Sequence, residues 1–160
     1  MLCPYPEPTN KKQMTMDQFL AVAIQEAKKG LAEGGIPIGS VLVADGRIIA
    51  RGHNQRMQKG SAVLHAEMDS LEQAGRLSAS WYRRAVLYST LSPCDMCSGA
   101  VLLYGIPKVV VGENRTFKGP EEYLRSRGVE VLVVDDSECR LLMEAFIKDH
   151  RDVWNEDIGK

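Results

Sequence analysis

Residues 85–112 read AVLYSTLSPCDMCSGAVLLYGIPKVVVG, and the alternation of apolar runs with turn residues in them sets the architecture. Ala85–Leu91 is a short apolar run rich in β-formers and predicts a strand. Ser92-Pro93 has the form of a helix start, with Ser92 as the cap and Pro93 at the first helical position. That helix runs to about Tyr104 and directs Ala100, Val101 and Leu103 inward, until Gly105-Ile106-Pro107 stops it. Lys108–Gly112 is the next strand. Strands joined by a crossover helix pair in parallel, so this segment predicts an α/β sheet.

The flanking chain extends the same pattern. Thr15-x-x-Gln18 is a capping box, and Phe19, Leu20, Ala23, Ile24, Ala27 and Leu31 follow at helical spacing, which predicts a helix over 16–32. Two apolar runs, Ser40–Ala44 and Arg47–Arg51, flank Asp45-Gly46 and predict a hairpin. Residues 52–64 have no period and read as a loop, and His65–Arg76 reads as a helix with Met68, Leu71 and Ala74 inward. After residue 112 come a short helix near 120–126, a strand over Val129–Val134, and a helix over Ser137–His150 with Leu141, Leu142, Ala145 and Phe146 inward. The tail, RDVWNEDIGK, adds a last turn or short helix. The expected architecture is three-layer α-β-α, a mixed five-stranded sheet with helices on both faces. Residues 1–14, with Pro4, Pro6 and Pro8, read as a flexible arm, and 15–160 as a single domain.

Composition narrows the function classes. The 160 residues are 44% hydrophobic, enough for one core but not for two independent domains. Lysine and arginine total 20 against 21 acidic residues, a net charge of -1, so no broad basic surface favours a nucleic-acid polymer. No apolar run approaches membrane-spanning length, and no secretory segment stands at the N-terminus, so a cytoplasmic setting with reduced thiols is expected. Of the four cysteines, Cys139 reads as helix-face packing and Cys3 as a free thiol in the arm.

Cys94 and Cys97 form a Cys-x-x-Cys pair, and His65-Ala66-Glu67 precedes it at another predicted helix start. Each piece alone has other uses, as a redox pair, a structural zinc site or a capping histidine. Together they resemble the signature of the zinc deaminases. One imidazole and two thiolates supply three of the four positions around a tetrahedral zinc and leave one open for water. Glu67 is then better placed as a proton carrier than as a fourth ligand.

Over residues 15–160 the chain resembles the fungal-type cytosine deaminases of the cytidine deaminase superfamily. The matching stretches are GGIPIG, RGHNQRMQKGSA, the His65-Ala66-Glu67 triplet, TLSPCDMCSGA, GIPKVVVGEN, VLVVDD and the terminal Trp154-Asn155-Glu156-Asp157-Ile158-Gly159. The resemblance implies a homodimer with one zinc (Zn2+) per subunit, held by His65, Cys94 and Cys97, that hydrolyses cytosine to uracil and ammonia in pyrimidine salvage. It implies that Glu67 moves protons, that Asn54 bonds the pyrimidine, and that the backbone N–H of Ala66 meets the substrate carbonyl. It further implies that the Ser92 carbonyl meets the leaving amine, that Asp157 accepts a ring N–H, and that Ile38 lies below the ring. Phe117 and Trp154 would close an apolar lid, with the lid segment at about 151–160. The chain departs from the fungal pattern at Ala66, where those relatives have glycine, and at Asn155, where they have an aromatic residue.

Other functions share these residues. A related deaminase would act on isocytosine, a triazine, a creatinine-like ring or guanine. A transfer-RNA adenosine deaminase shares His-Ala-Glu, but it typically shows Glu-Pro-Cys where this chain has Ser92-Pro93-Cys94. A zinc-stabilised binding protein is the alternative outside enzymes. Exposed apolar surface at Trp81, Tyr82 and the 93–107 region would serve the dimer.

Overall fold

The computed structural model describes residues 13–160. Residues 1–12, which hold most of the expected arm and Cys3, lie outside the described residues. The strands are β1 (Gly39–Ala44), β2 (Arg47–His53), β3 (Ala85–Leu91), β4 (Lys108–Glu113) and β5 (Glu130–Val133), in the sheet order β2-β1-β3-β4-β5. β1 is antiparallel to both β2 and β3, whereas β3, β4 and β5 run parallel. The principal helices are α1 (Met16–Ala32), α3 (Ala66–Ala74), α5 (Asp95–Tyr104), α6 (Glu121–Ser126), α7 (Ser137–Asp149) and α8 (Arg151–Asp157). Two short helices, α2 (Arg56–Lys59) and α4 (Ala79–Tyr82), fall where sequence periodicity predicts none, because a single turn is too short to carry a period.

Alternation along the strands divides the core. Leu42, Leu87, Val109 and Val111 face one side with Leu71 of α3 and Val101 of α5. Val41, Val43, Tyr88 and Val110 face the other with Phe19, Leu20, Ala23 and Ile24 of α1 and with Cys139 of α7. Side chains separated by two residues therefore share a face, and the sheet is buried on both faces, as crossover helices require. The hairpin turns at Asp45 and Gly46, both with positive φ (52° and 73°), the geometry of a tight turn that matches strand twist. A third cluster, with Ile36, Ile38, Ala66, Leu91, Met143, Phe146 and Trp154, brings the ends of several elements together.

The structure corrects several sequence expectations. Ser92 does not cap α5: Cys94 occupies the cap, and the Ser98 N–H closes the first helical bond on its carbonyl at 2.8 Å. The Ser92 N–H is instead drawn into the sheet by the Glu113 carbonyl at 3.0 Å. Leu103 points outward, 75% exposed, because two residues along a helix from the buried Val101 reach the far side. In α7 the inward face is Cys139, Met143 and Phe146, while Leu141 and Ala145 are exposed. Leu31 is exposed in the last turn of α1, and Tyr82 is buried instead of contributing to an outer apolar surface.

Helix and sheet approach closely at Gly39, where a Cβ would fall 1.9 Å from the Ala23 carbonyl oxygen and 2.6 Å from the Ala27 nitrogen. Both are backbone atoms of α1 and cannot rotate away. Gly39→Ala should therefore destabilise the chain by about 1–3 kcal/mol, the range for overpacking. The loss would be read as a lower urea midpoint at unchanged m-value.

Candidate active site

Two helix starts face each other. His65 is the N-cap of α3 and Cys94 the N-cap of α5; both have extended backbones, and neither side chain is spent on capping. Cys97 follows in the first turn of α5 and is buried. One ligand atom from each of His65, Cys94 and Cys97 lies within 4.8 Å of the others, and His65 Nδ1 is 3.4 Å from Cys94 Sγ. A tetrahedral zinc with bonds of roughly 2.0–2.3 Å needs its ligand atoms roughly 3.4–3.8 Å apart, so this donor set fits the metal.

The electrostatics favour a cation. A thiol hydrogen bond from Cys97, helped by one from His65, outweighs burial and holds Cys94 at about 4. Cys97 is pushed well above the ordinary thiol range by its bond to Cys94, by burial and by Glu67. Burial depresses His65, but the bond to Cys94 and the carboxylates of Asp157 and Glu67 raise it overall to about 9. Two helix N-termini add partial positive charge that favours thiolates. The other nitrogen of His65, Nε2, faces Asp157 Oδ1 at 3.5 Å, which orients the ring with Nδ1 toward the cysteines.

Glu67 lies beside this group. It is buried in α3, where its Oε1 accepts from the Ser89 hydroxyl at 2.9 Å and its Oε2 from the Cys97 thiol at 3.3 Å. Burial above all raises its pKa, which favours taking up a proton.

Ile38, Ser92, Phe117, Trp154 and Asp157 enclose a space of about 20 Å³ with His65, Glu67 and Cys94. That holds about one water and not a ring. Phe117 and Trp154 meet edge to face, centroids 6.0 Å apart. Leu91 and Ile158 complete the enclosure without having stood out in the sequence. Asn54 and Ala66 do not bound the space directly. Asn54 donates Nδ2 to both Asp157 oxygens at 3.1 and 3.3 Å. Ala66 is fully buried in the apolar cluster with Ile38 and Trp154, so its methyl is absorbed by packing. Asn155 is half-buried on α8 and does not bound the space.

Other residues serve the site without a motif to mark them. Arg56 Nη1 donates to Asp157 at 3.1 Å. Asp69 is buried on α3, one turn after His65. It accepts the His53 N–H at 3.1 Å and the Gln55 Nε2 at 2.9 Å, pinning both neighbours of Asn54. The i,i+4 spacing of His65 and Asp69 is the one signal that places this carboxylate on the site's side of the helix.

Residues 13–113 match the family model of the cytidine and deoxycytidylate deaminase zinc-binding region. The chain belongs to that family. Cytosine deaminase of Candida albicans is 52% identical over 150 residues, covering 92% of this chain and all of that protein. The tRNA-specific adenosine deaminase of Bacillus subtilis is 38% identical over 149 residues, covering 86% of this chain and 92% of that protein. A structure solved in a study of A-to-I editing by tRNA:A34 deaminases superposes with a TM-score of 0.67 at 28% identity, over 79% of this chain and 99% of that one. The mixed five-stranded sheet is thus the fold of the family, and zinc is its metal, with His65, Cys94 and Cys97 placed to hold it.

If these three side chains hold the metal, Cys97→Ala purified with excess zinc should retain less than about a tenth of the wild-type content, since loss of one of three ligands opens the site. Cys139→Ala, which removes a thiol buried against the sheet face away from the centre, should retain the full content by atomic absorption.

Proposed function

We propose that the chain hydrolyses free cytosine to uracil and ammonia. The observation that carries this reading is the enclosure. The metal group and Glu67 lie beneath α8, whose Trp154 and Asp157 close over a space walled by apolar and aromatic side chains with a few polar groups. A small planar ring suits such a chamber once α8 moves aside, whereas a polynucleotide would meet α8 as an obstacle. The likeness to the Candida albicans cytosine deaminase along its whole length supports the same substrate. Residues 151–160 are accordingly read as a lid on the domain.

Zinc supplies Lewis acidity that lowers the pKa of water and so provides a nucleophile near neutral pH. The chain's own residues supply the rest. Glu67, anchored at Oε1 by Ser89, takes a proton from the attacking water at Oε2, which the Cys97 thiol no longer occupies once Cys97 binds the metal as thiolate, and passes it to the ring nitrogen, which makes the amine-bearing carbon more electrophilic. After the hydroxyl adds to that carbon, Glu67 takes the second proton from that hydroxyl and delivers it to the amine, so the C–N bond breaks and ammonia leaves as the carbonyl forms. The Ser92 hydroxyl gives its proton to Glu121 at 2.8 Å, so the group left for the leaving amine is the Ser92 carbonyl. Asp157, held by Asn54 and Arg56, accepts a ring N–H, and once α8 moves aside Asn54 and the Ala66 N–H serve the rest of the pyrimidine. Trp154 and Phe117 exclude water.

The reaction belongs to pyrimidine salvage, and the three free thiols among the described residues suit a reducing cytoplasm. No helix among the described residues is long and apolar enough to cross a membrane. A groove of about 740 Å³ between α3, α4 and α5, flanked by the exposed Leu103 and Tyr104, is bounded by no residue of the metal centre and is the surface we assign to the homodimer.

Ammonia release from cytosine, isocytosine, guanine, creatinine, cytidine and transfer RNA tests the reading. Cytosine should react, and cytidine and transfer RNA should not. Turnover of transfer RNA would overturn both the free-base assignment and the lid. Glu67→Gln should keep its zinc while kcat falls about 10²–10⁴-fold, the scale of general acid–base catalysis; undiminished turnover would remove Glu67 from its role.

A further inference from the structure

Glu121 takes no part in the proton transfers above, and it is only 2% exposed at the start of α6. Its Oε1 accepts the Ser92 hydroxyl at 2.8 Å and Asn114 Nδ2 at 3.2 Å; its Oε2 accepts Asn114 Nδ2 at 3.3 Å and stands 3.7 Å from Arg125 Nη1. The Ser92 oxygen in turn accepts the Gly119 N–H at 3.0 Å. Gly119 lies so close to Pro93 that a Cβ there would fall 1.7 Å from the Pro93 carbonyl oxygen. At the opposite end of the same segment, Glu113 is fully buried and accepts the N–H groups of Arg115 at 2.6 Å and Thr116 at 3.0 Å, together with the Thr116 hydroxyl. The segment that carries Phe117 is therefore fastened at both ends, and one fastening runs through Ser92-Pro93, the two residues before the ligand Cys94.

We infer that Glu121 is a positioning residue for the substrate pocket. Through the Ser92 hydroxyl it locks the Ser92 carbonyl and the Phe117 segment into one unit, and so sets the distance between the amine-binding end of the pocket and its aromatic wall. The inference rests on Ser92 and Phe117 being walls of that pocket. The physical basis is the hydrogen-bond count. A serine hydroxyl has one proton, here given to a buried carboxylate, and its lone pair takes up the Gly119 N–H. Both bonds are in a dry setting, where a charge-assisted bond is strong and a broken one leaves a buried carboxylate short of donors. With the link intact, Phe117 cannot move independently of the strand end that leads into the metal centre.

The test is steady-state kinetics on cytosine with the zinc-loaded full chain. Ser92→Ala keeps the carbonyl and removes the link; Glu121→Leu removes it from the other side. Each should raise KM about tenfold or more, the size of one charge-assisted bond. In each, KM should move more than kcat, and zinc content should not change. The double variant should be no worse than the poorer single variant, because both cut the same link. Glu121→Gln, which keeps an acceptor for the Ser92 hydroxyl, should recover most of the loss. Unchanged KM in Ser92→Ala, or effects that multiply in the double variant, would overturn the inference. Should Glu121→Leu not fold, Ser92→Ala compared with Ser92→Ala/Glu121→Gln decides the same point, since Asn114 still donates to residue 121: with the link already cut the second change should leave KM where it was, and a further rise would overturn the inference. Phe117→Ala separates the two levels. If it leaves KM unchanged, the pocket assignment itself fails. If it raises KM while Ser92→Ala does not, the assignment stands and the Glu121 link falls.

Discussion

His65 Nδ1 and Cys94 Sγ stand 3.4 Å apart although 29 residues separate them in the chain, and each sits on the N-cap of a different helix. A metal centre needs its ligands fixed to within tenths of an ångström, so α3 and α5 have to be held as one body. The sheet does this. α3 packs on β1 and β2, α5 follows directly from β3, and β1 pairs with β3 from Ser40↔Ser89 to Ala44↔Ala85. The strand ends, the helix starts and the ligand atoms are then a single rigid arrangement, with Leu42, Leu87, Leu71 and Val101 packed between them. Close approaches such as Gly39 against α1 and Gly52 against Ser70 of α3 keep that spacing short, since a Cβ at either would meet backbone within 2.6 Å.

Within this frame the polar groups act in layers. Ser89 holds Glu67, Asp157 faces His65, Asp69 pins the His53 backbone and the Gln55 side chain on either side of Asn54, and Glu121 ties Ser92 to the segment bearing Phe117. Burying so many carboxylates is expensive unless each is met by donors. Here Glu113, Glu121, Asp69 and Asp157 all accept hydrogen bonds, several of them from backbone N–H groups. The cost of desolvation goes into fixing the side chains around the metal group and the enclosed space.

The sequence carries the parts of this scheme that follow local rules. The capping box at Thr15, the Asp45-Gly46 turn and the strand–helix–strand order of residues 85–112 depend on near neighbours, and the structure has each of them. The metal ligands and Glu67 are legible because zinc chemistry restricts both residue type and spacing. Ser89, Asp69, Arg56 and Glu121 are not, because an isolated polar residue in a strand or helix looks the same whether it faces water or a site. The misassigned cap at Ser92 has the same origin: Ser-Pro is a sound local helix start, but the Glu113 carbonyl and the Glu121 carboxylate, more than twenty residues away, claim the serine first. Helical spacing of apolar residues points Leu103, Leu141 and Ala145 inward, but it does not fix which stripe meets the sheet, and phase relative to Val101 and Met143 puts them outside.

The closing segment has a different physical character from the frame. α8 spans seven residues and has no side-chain cap, and helices this short are not stable on their own. It is held by the Trp154 ring among Ile38, Leu91 and Phe146, and by Asp157, which accepts from Asn54 and Arg56. Those contacts are few enough to release together without disturbing β3, α3 or α5, so opening can be a local event far below the cost of unfolding. A space for about one water beneath it means that, on the proposed reading, this release precedes every binding event. The same bonds that would orient a bound pyrimidine then hold the empty pocket shut. Asp157 is the point where the two demands meet, since on the proposed reading it would give up Asn54 and Arg56 while the ring enters or leaves.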